Sequence, residues 1–484
     1  MNNDRGQPVL LINNAATDFR RWQRNLQLRY YRCPAAAIIL GMIKSAALKF
    51  WRGICWLAIK IFYRHYEVAG FENIPQDRGV IFCANHVNAL VDPILVQAAS
   101  RKLMRPLARS GLFDKIWLKP VLDIIGAVPV YRSSDAGSDV TRNQQSFARV
   151  YELLEKGEWI IIFPEGQSHS QSKIQRLKTG AARMALGTLD RGKMQPVLLP
   201  VGLTFTKKGE FRGDVLVYFG QPVDLSVPEN VSEKLRVRVV TRRLTEGLRD
   251  VTINADNWED LELVSKVERF FAMRSGKYQK RLLVHRFASL KRIIARHKLL
   301  RKREPELIEQ VTKDLRRFES VCRSVGIKGY HLDIAYRPFL VVWYSIKLLF
   351  ILLVSLPLFI WGVINSFIPF WLARWSSRYF AKSPDQFDTA KILSGIFWFT
   401  IFWVIQILLV YRYAGINIAL LYFVSLVVST AVVIRMRKEI FNIKENIYVF
   451  LLFLRNRGLK EHLISRRNNL ERELARLVKI ANRL

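Results

Sequence analysis

Residues 80–93 read V-I-F-C-A-N-H-V-N-A-L-V-D-P. The first five are β-branched, aromatic or small apolar residues at strand length. A strand ending at Ala84 brings His86 to its carboxyl end, the edge where α/β sheets place their ligands. A helix starting near Asn88 folds Asp92 back toward His86. A carboxylate against an imidazole fixes its tautomer and makes it a better proton acceptor. His86 and Asp92 are thus candidates for a general base and its orienting carboxylate. Taken alone, a His near an Asp is more often structural, so the rest of the chain has to decide.

Outward from this stretch the texture stays the same. W-I-I-I-F (159–163), P-V-L-L-P-V-G-L-T-F (196–205) and D-V-L-V-Y-F (214–219) are further runs of strand length. Helical patterning fills 140–156 and 177–190 between them. The alternation predicts an α/β domain with a central mixed sheet over residues 68–232.

The flanks differ. Residues 1–67 form an N-terminal segment whose first 26 residues carry no apolar run behind a basic start, so no cleaved signal peptide is expected. Their second half (34–64) is apolar but punctuated by Lys44, Lys49, Arg52, Lys60 and Arg64. That spacing predicts a basic amphipathic helix in the membrane interface, with Trp51 and Trp56 at headgroup depth. Residues 233–337 form a basic helical region, read either as solvated helices with an apolar stripe turned inward or as a face for anionic lipid.

Residues 338–434 form a membrane region. Its first part, 338–373, would run roughly 50 Å as one helix, against a hydrocarbon core of about 30 Å. Pro357, Gly362, Asn365 and Pro369 predict a break there, giving a re-entrant or broken helix pair. Residues 392–411 and 415–434 are expected to span as a hairpin turning at Arg412–Gly415. Arg435, Arg437 and Lys438 follow the last apolar segment, which puts that end in the cytoplasm by the positive-inside rule. A re-entrant first segment keeps the α/β domain on the same side. The tail, 435–484, holds 13 basic and 5 acidic residues and is expected to form an amphipathic helix.

Composition narrows the partners. The chain has 76 Lys+Arg against 40 Asp+Glu, with half its residues hydrophobic. Such a positive excess suits nucleic acid or an anionic membrane surface, and the long apolar runs favour membrane phospholipids over nucleic acid. Cys33, Cys55, Cys83 and Cys322 have no paired spacing, which argues against a disulfide framework and a zinc site. The seven scattered histidines make no metal-ligand cluster. Gly166-Gln167-Ser168-His169-Ser170 nearly spells a nucleophile elbow, but Ser170 stands where the second glycine is required. Nothing in the sequence fixes an oligomeric state.

Three further blocks follow His86 and Asp92 in order: R-S-G-L-F-D-K-I-W-L-K-P-V-L-D-I-I-G-A-V-P-V-Y-R (109–132), then I-I-I-F-P-E-G-Q-S-H-S-Q-S-K-I-Q-R-L-K (160–178), then the apolar strand at 196–205. Together they resemble the glycerolipid acyltransferase superfamily, over roughly residues 68–230. Two features depart from its common pattern. Five residues separate His86 from Asp92 where four are usual, and Gln167-Ser168-His169 replaces Thr-Arg-Ser. Both departures resemble the subgroup that acylates glycerol 3-phosphate or dihydroxyacetone phosphate, which also tends to carry C-terminal membrane segments.

The resemblance implies that His86 takes a proton from the acceptor hydroxyl as it attacks an acyl thioester, either acyl-CoA or acyl-carrier protein. Asp92 orients the ring, and no covalent acyl-enzyme or cofactor is needed. Arg132 is the expected phosphate contact, with Arg109, Arg176 and Lys178 as further cations. Glu165 is expected to bond acceptor hydroxyls or to fix its loop, and Gly166 to allow close approach of backbone. Ser168 and His169 occupy substrate-contact positions. A lysophospholipid such as lysophosphatidate is the competing acceptor, and a non-catalytic lipid-binding membrane protein is the competing class. The extra residue turns a helical side chain by about 100°. The dyad therefore requires an irregular turn between His86 and Asp92.

Overall fold

The structure is a computed structural model that describes residues 34–483, apart from 101, 117, 132–139, 207, 209, 229–230, 275–281, 333–337, 382 and 384–385. Helix α1 (Pro34–Phe62) leads into strand β1 (His65–Ala69). Then come β2 (Val80–Ala84), α2 (Val91–Ala99), β3 (Met104–Arg109), α3 (Lys119–Ile125), β4 (Val128–Val130), α4 (Asn143–Glu155), β5 (Trp159–Ile162), α5 (Gly180–Asp190), β6 (Val197–Phe205), β7 (Asp214–Phe219) and α6 (Glu233–Val251). The strands form one sheet in the order β1-β7-β6-β2-β5-β3-β4. Only the β6–β7 pair is antiparallel, so the sheet is mixed. The central strands are apolar on both faces because both faces are covered.

Strand β2 shows the division. Ile81 and Cys83 face one core with Leu154 of α4, Met184 of α5 and Leu244 of α6. Val80, Phe82 and Ala84 face the other core with Ile59 of α1 and Leu95 of α2. Helix α6, expected in the separate basic region, therefore belongs to the α/β unit. Its Val237, Val240, Leu244, Leu248 and Val251 recur at helical spacing and lie on the sheet. A Cβ at Gly202 of β6 would stand 1.7 Å from the Val251 carbonyl, which is how closely helix and strand approach. At the other end, β1 begins three residues before the expected boundary at 68.

Helices α7 (Trp258–Arg274), α8 (Leu283–Arg303) and α9 (Pro305–Ser324) follow. Next comes α10 (Pro338–Phe380), a single helix with Pro357 and Pro369 inside it. The break expected in 338–373 is not present. A proline deletes one backbone donor, and in an apolar helix neighbouring side chains and helices make up for it. Helix α11 runs from Phe387 to Arg455 with non-helical backbone at Gly415 (φ 79°, ψ 174°), where the sequence predicts the turn of a hairpin. It continues well past residue 434.

Leu353–Phe380 and Phe387–Met436 are long and apolar enough to cross a membrane. Only 22% and 17% of their most apolar windows are buried, far less than for a core helix of a water-soluble protein. Trp361 Nε1 bonds Ser425 Oγ, Tyr422 OH bonds Asn365 Oδ1, and Ser366 pairs with Thr430, joining α10 to α11. Finally α12 (Arg457–Arg483) buries Leu463, Leu470, Leu474 and Leu477 against α9 and the end of α11 in a third core. The apolar face of the tail is thus spent on protein, leaving its basic face outward.

Candidate active site

The site is assembled at the carboxyl edge of the sheet, where the parallel strands β2, β5 and β3 all end. Asn85, directly after β2, is buried and extends the ladder with its side chain. Its Nδ2 donates to the Leu203 carbonyl (3.1 Å), and the Leu203 amide donates to its Oδ1 (2.7 Å). His86 is therefore launched from a fixed point. Its amide donates to Glu165 Oε1 (2.8 Å), and its carbonyl accepts from the His169 amide (3.0 Å). Both of its main-chain groups are tied to the Phe-Pro-Glu-Gly block after β5.

The turn that follows is irregular, as the extra residue requires. The helix expected near Asn88 begins only at Val91. Ala89 adopts φ 39°, a left-handed conformation unusual for a residue with a side chain. This places Asp92 in the first turn of α2, with Oδ2 facing back. That one oxygen accepts from the Val87 amide (2.8 Å), the Asn88 amide (2.7 Å) and His86 Nδ1 (2.9 Å). Asp92 is fully buried, and the His86 side chain is 16% exposed. An anionic acceptor at Nδ1 keeps the proton there and leaves Nε2 as the basic nitrogen. Phe163 stacks on the imidazole at 4.2 Å between centroids, holding its plane.

Glu165 is the brace beneath this arrangement. It is buried, and its two oxygens accept from the His86 amide, the Gln175 amide (2.9 Å) and His169 Nε2. Of its two expected roles, this geometry is that of a loop-fixing residue. His169, expected at a substrate-contact position, is tied into the same loop. Its Nδ1 accepts from the Gln171 amide (3.1 Å) and its Nε2 meets Glu165, so both ring nitrogens are engaged within the loop. A buried carboxylate with donors on every side draws the imidazole inward.

Gly166 has φ 83°, so a side chain there would be strained, and the stem of Lys178 passes beside it. The Lys178 amide closes the loop onto the Pro164 carbonyl (2.7 Å). Lys178 and Arg176 are exposed beyond this loop, Ser168 is half-buried, and Arg109 is exposed at the end of β3. Arg132 lies outside the described residues. Sequence reasoning missed Asn85, Phe163 and Lys208. The Lys208 ammonium donates to Ser170 Oγ (2.9 Å), putting another cation beside the third block. The Asn-His pairing and the Phe before Pro-Glu-Gly were visible signals, whereas nothing near Lys208 marked it. Among the described residues no cluster of three or more His, Cys, Asp or Glu side chains forms a metal site.

Parts of the chain are similar to known acyltransferases. The acyltransferase family model matches residues 65–204. Glycerol-3-phosphate O-acyltransferase 1 of Saccharomyces cerevisiae is 25% identical over 260 residues, which are 51% of this chain and 33% of the yeast protein. The 1-acyl-sn-glycerol-3-phosphate acyltransferase of Borreliella burgdorferi is 31% identical over 134 residues, 28% of this chain and 49% of that protein. The chain thus spans about a third of the yeast relative's length and about half of the bacterial one's. Among solved structures, the 1-acyl-sn-glycerophosphate acyltransferase of Thermotoga maritima aligns with 47% of this chain and 88% of its own, at 22% identity and a TM-score of 0.33. Residues 65–204 thus carry an acyltransferase-family domain.

Proposed function

We propose that the protein is a membrane-bound O-acyltransferase that moves a fatty acyl group from acyl-CoA or acyl-carrier protein to the sn-1 hydroxyl of glycerol 3-phosphate or dihydroxyacetone phosphate. The observation that carries the reading is the His86 imidazole, held on Asp92 through Nδ1 and stacked on Phe163, with Nε2 left as a base. In the reaction Nε2 removes the acceptor hydroxyl proton while the oxygen attacks the thioester carbonyl. The carbon–sulfur bond then breaks, and the proton passes to the departing thiolate. Asp92 stabilises the imidazolium between the two transfers. The thioester is already activated, so neither a covalent acyl-enzyme nor a cofactor enters.

Arg132, Arg109, Arg176 and Lys178 are the cations assigned to the acceptor phosphate, and Ser168 is assigned a substrate contact. The catalytic domain then faces the cytoplasm, a reading supported by the basic residues after residue 434 and by the contact of Asp388, at the start of α11, with Asn88 of the domain. Anionic phospholipids are the surface on which it works.

The six-residue offset and the yeast relative favour the glycerol 3-phosphate reading. Lysophosphatidate is the second acceptor, supported by the B. burgdorferi relative. Purified protein given an acyl thioester and radiolabelled acceptors separates the two. We expect product from glycerol 3-phosphate, formed on the order of 10²–10⁴-fold more slowly by the His86→Ala variant, which lacks the general base. Unchanged turnover in that variant would overturn the catalytic assignment.

A further inference from the structure

The catalytic turn is held from a second side by the helix that leads into the membrane region. Asp388 stands in the first turn of α11 and is 1% exposed, although it is a carboxylate at the start of a long apolar helix. Its Oδ2 accepts from Asn88 Nδ2 at 2.5 Å and from the Tyr63 hydroxyl at 3.4 Å. Thr389 approaches the Asn88 carbonyl at 3.5 Å. Four residues further along α11, Ile392 packs on the core that contains Phe82 and Trp159. The start of α11 is therefore seated on the α/β domain by polar and apolar contacts together.

Asn88 is fully buried and donates in two directions. Its backbone amide goes to Asp92 Oδ2, the oxygen that holds His86, and its side-chain amide goes to Asp388. Burial, and then the charges of Asp388 and Asp92, push the Tyr63 phenol above its ordinary value, so Tyr63 remains a donor. Tyr63 immediately follows α1, so three elements converge on one turn: the end of the amphipathic helix, the start of the apolar helix and the residue two places after His86. A core asparagine and a core aspartate at such a distance compensate each other, and removing one leaves the other buried with an unmet polar group.

We propose that Asp388 is a positioning residue of the active site. From the first turn of α11 it fixes Asn88, and through Asn88 the turn that presents Asp92 to His86, so that catalysis depends on the seating of the membrane helix. The inference rests on the acyltransferase reading above.

Steady-state kinetics on the full chain in one fixed detergent, with acyl thioester and glycerol 3-phosphate, test it. Asp388→Ala should lower kcat on the order of tenfold, the equivalent of one buried hydrogen bond, with KM within about twofold. Asp388→Asn keeps an oxygen for the Asn88 amide and should recover most of that loss. Because Asp388 acts through Asn88, the Asn88→Ala, Asp388→Ala double variant should be no slower than Asn88→Ala alone.

A swap covers the case in which the alanine variant does not fold. Asn88→Asp sets two carboxylates against each other and should be nearly inactive, while Asn88→Asp combined with Asp388→Asn restores the bond with its polarity reversed and should regain activity. Wild-type kcat in Asp388→Ala, fully additive losses in the double variant, or no recovery in the swap would each overturn the proposal. An active His86→Ala control would instead overturn the underlying catalytic reading.

Discussion

The additional residue between His86 and Asp92 is resolved by a local backbone detail. In a regular helix it would swing the carboxylate about 100° off the ring. A left-handed Ala89 and a helix start delayed to Val91 absorb it. A left-handed alanine costs about 1–2 kcal/mol, and the three hydrogen bonds onto Asp92 Oδ2 offset that cost. Glu165 bears a comparable load, since it is the buried acceptor for His86, Gln175 and His169 at once. Glu165→Gln turns one acceptor into a donor facing a donor. It should cost about 1–3 kcal/mol of stability, read as a lowered Tm, and should also lower kcat because the backbone of His86 is released. An unchanged melt and unchanged kcat would show that the loop does not brace the dyad. The spacing of His86, Asp92 and Glu165 was legible from sequence. The inward turn of His169 was not, because which donors crowd a buried carboxylate is decided by loop geometry.

At the scale of elements, the interior strands could be read directly and the outer ones could not. β2 and β7 have the bounds their apolar runs predict, because strands buried on both faces have nearly uninterrupted apolar sequence. β1 (H-Y-E-V-A), β3 (M-R-P-L-A-R) and β4 (V-P-V) lie toward the sheet's margins, carry charges or proline, and gave no strand signal. Proline also misled in α10, where an apolar setting tolerates it. The α10–α11 contact depends on a small residue at Gly362: a Cβ there would lie 2.7 Å from the Ser429 carbonyl and from Val433 Cγ2. Close approach of apolar helices requires such positions. Gly362→Ala should therefore push the helices apart at a cost of about 1–3 kcal/mol, seen as a lower melting temperature in detergent. An unaltered melt would mean that the two helices do not pack there.

At the scale of the whole molecule, the described residues form three cores and the sequence carries a net charge of +36. The exposed Trp56, Leu57 and Ile61 of α1 add an apolar face, with the Lys60 ammonium set over the Trp56 ring. Protein reconstituted from detergent should bind vesicles containing anionic lipid more tightly than neutral ones, and the difference should shrink as salt rises, because the attraction is worth about 1 kcal/mol per basic residue and is screened within about 10 Å at 0.1 M salt. Equal binding to both vesicle types at low salt would remove the electrostatic role of the basic helices. Composition gave the membrane, and motif order gave the site. The link between Asn88 and Asp388 was invisible because 300 positions separate them and Asp388 stands in no motif. The strand order carries a consequence of its own. β1 lies beside β7, with His65 opposite Asp214, so the first strand made finds its partner only after nearly the entire α/β domain has been synthesised. At about 5–20 residues per second that is a delay of roughly 7–30 s. Throughout it the nascent chain displays an unpaired edge and an amphipathic helix, which makes it a client for chaperones or for the bilayer while it is still on the ribosome.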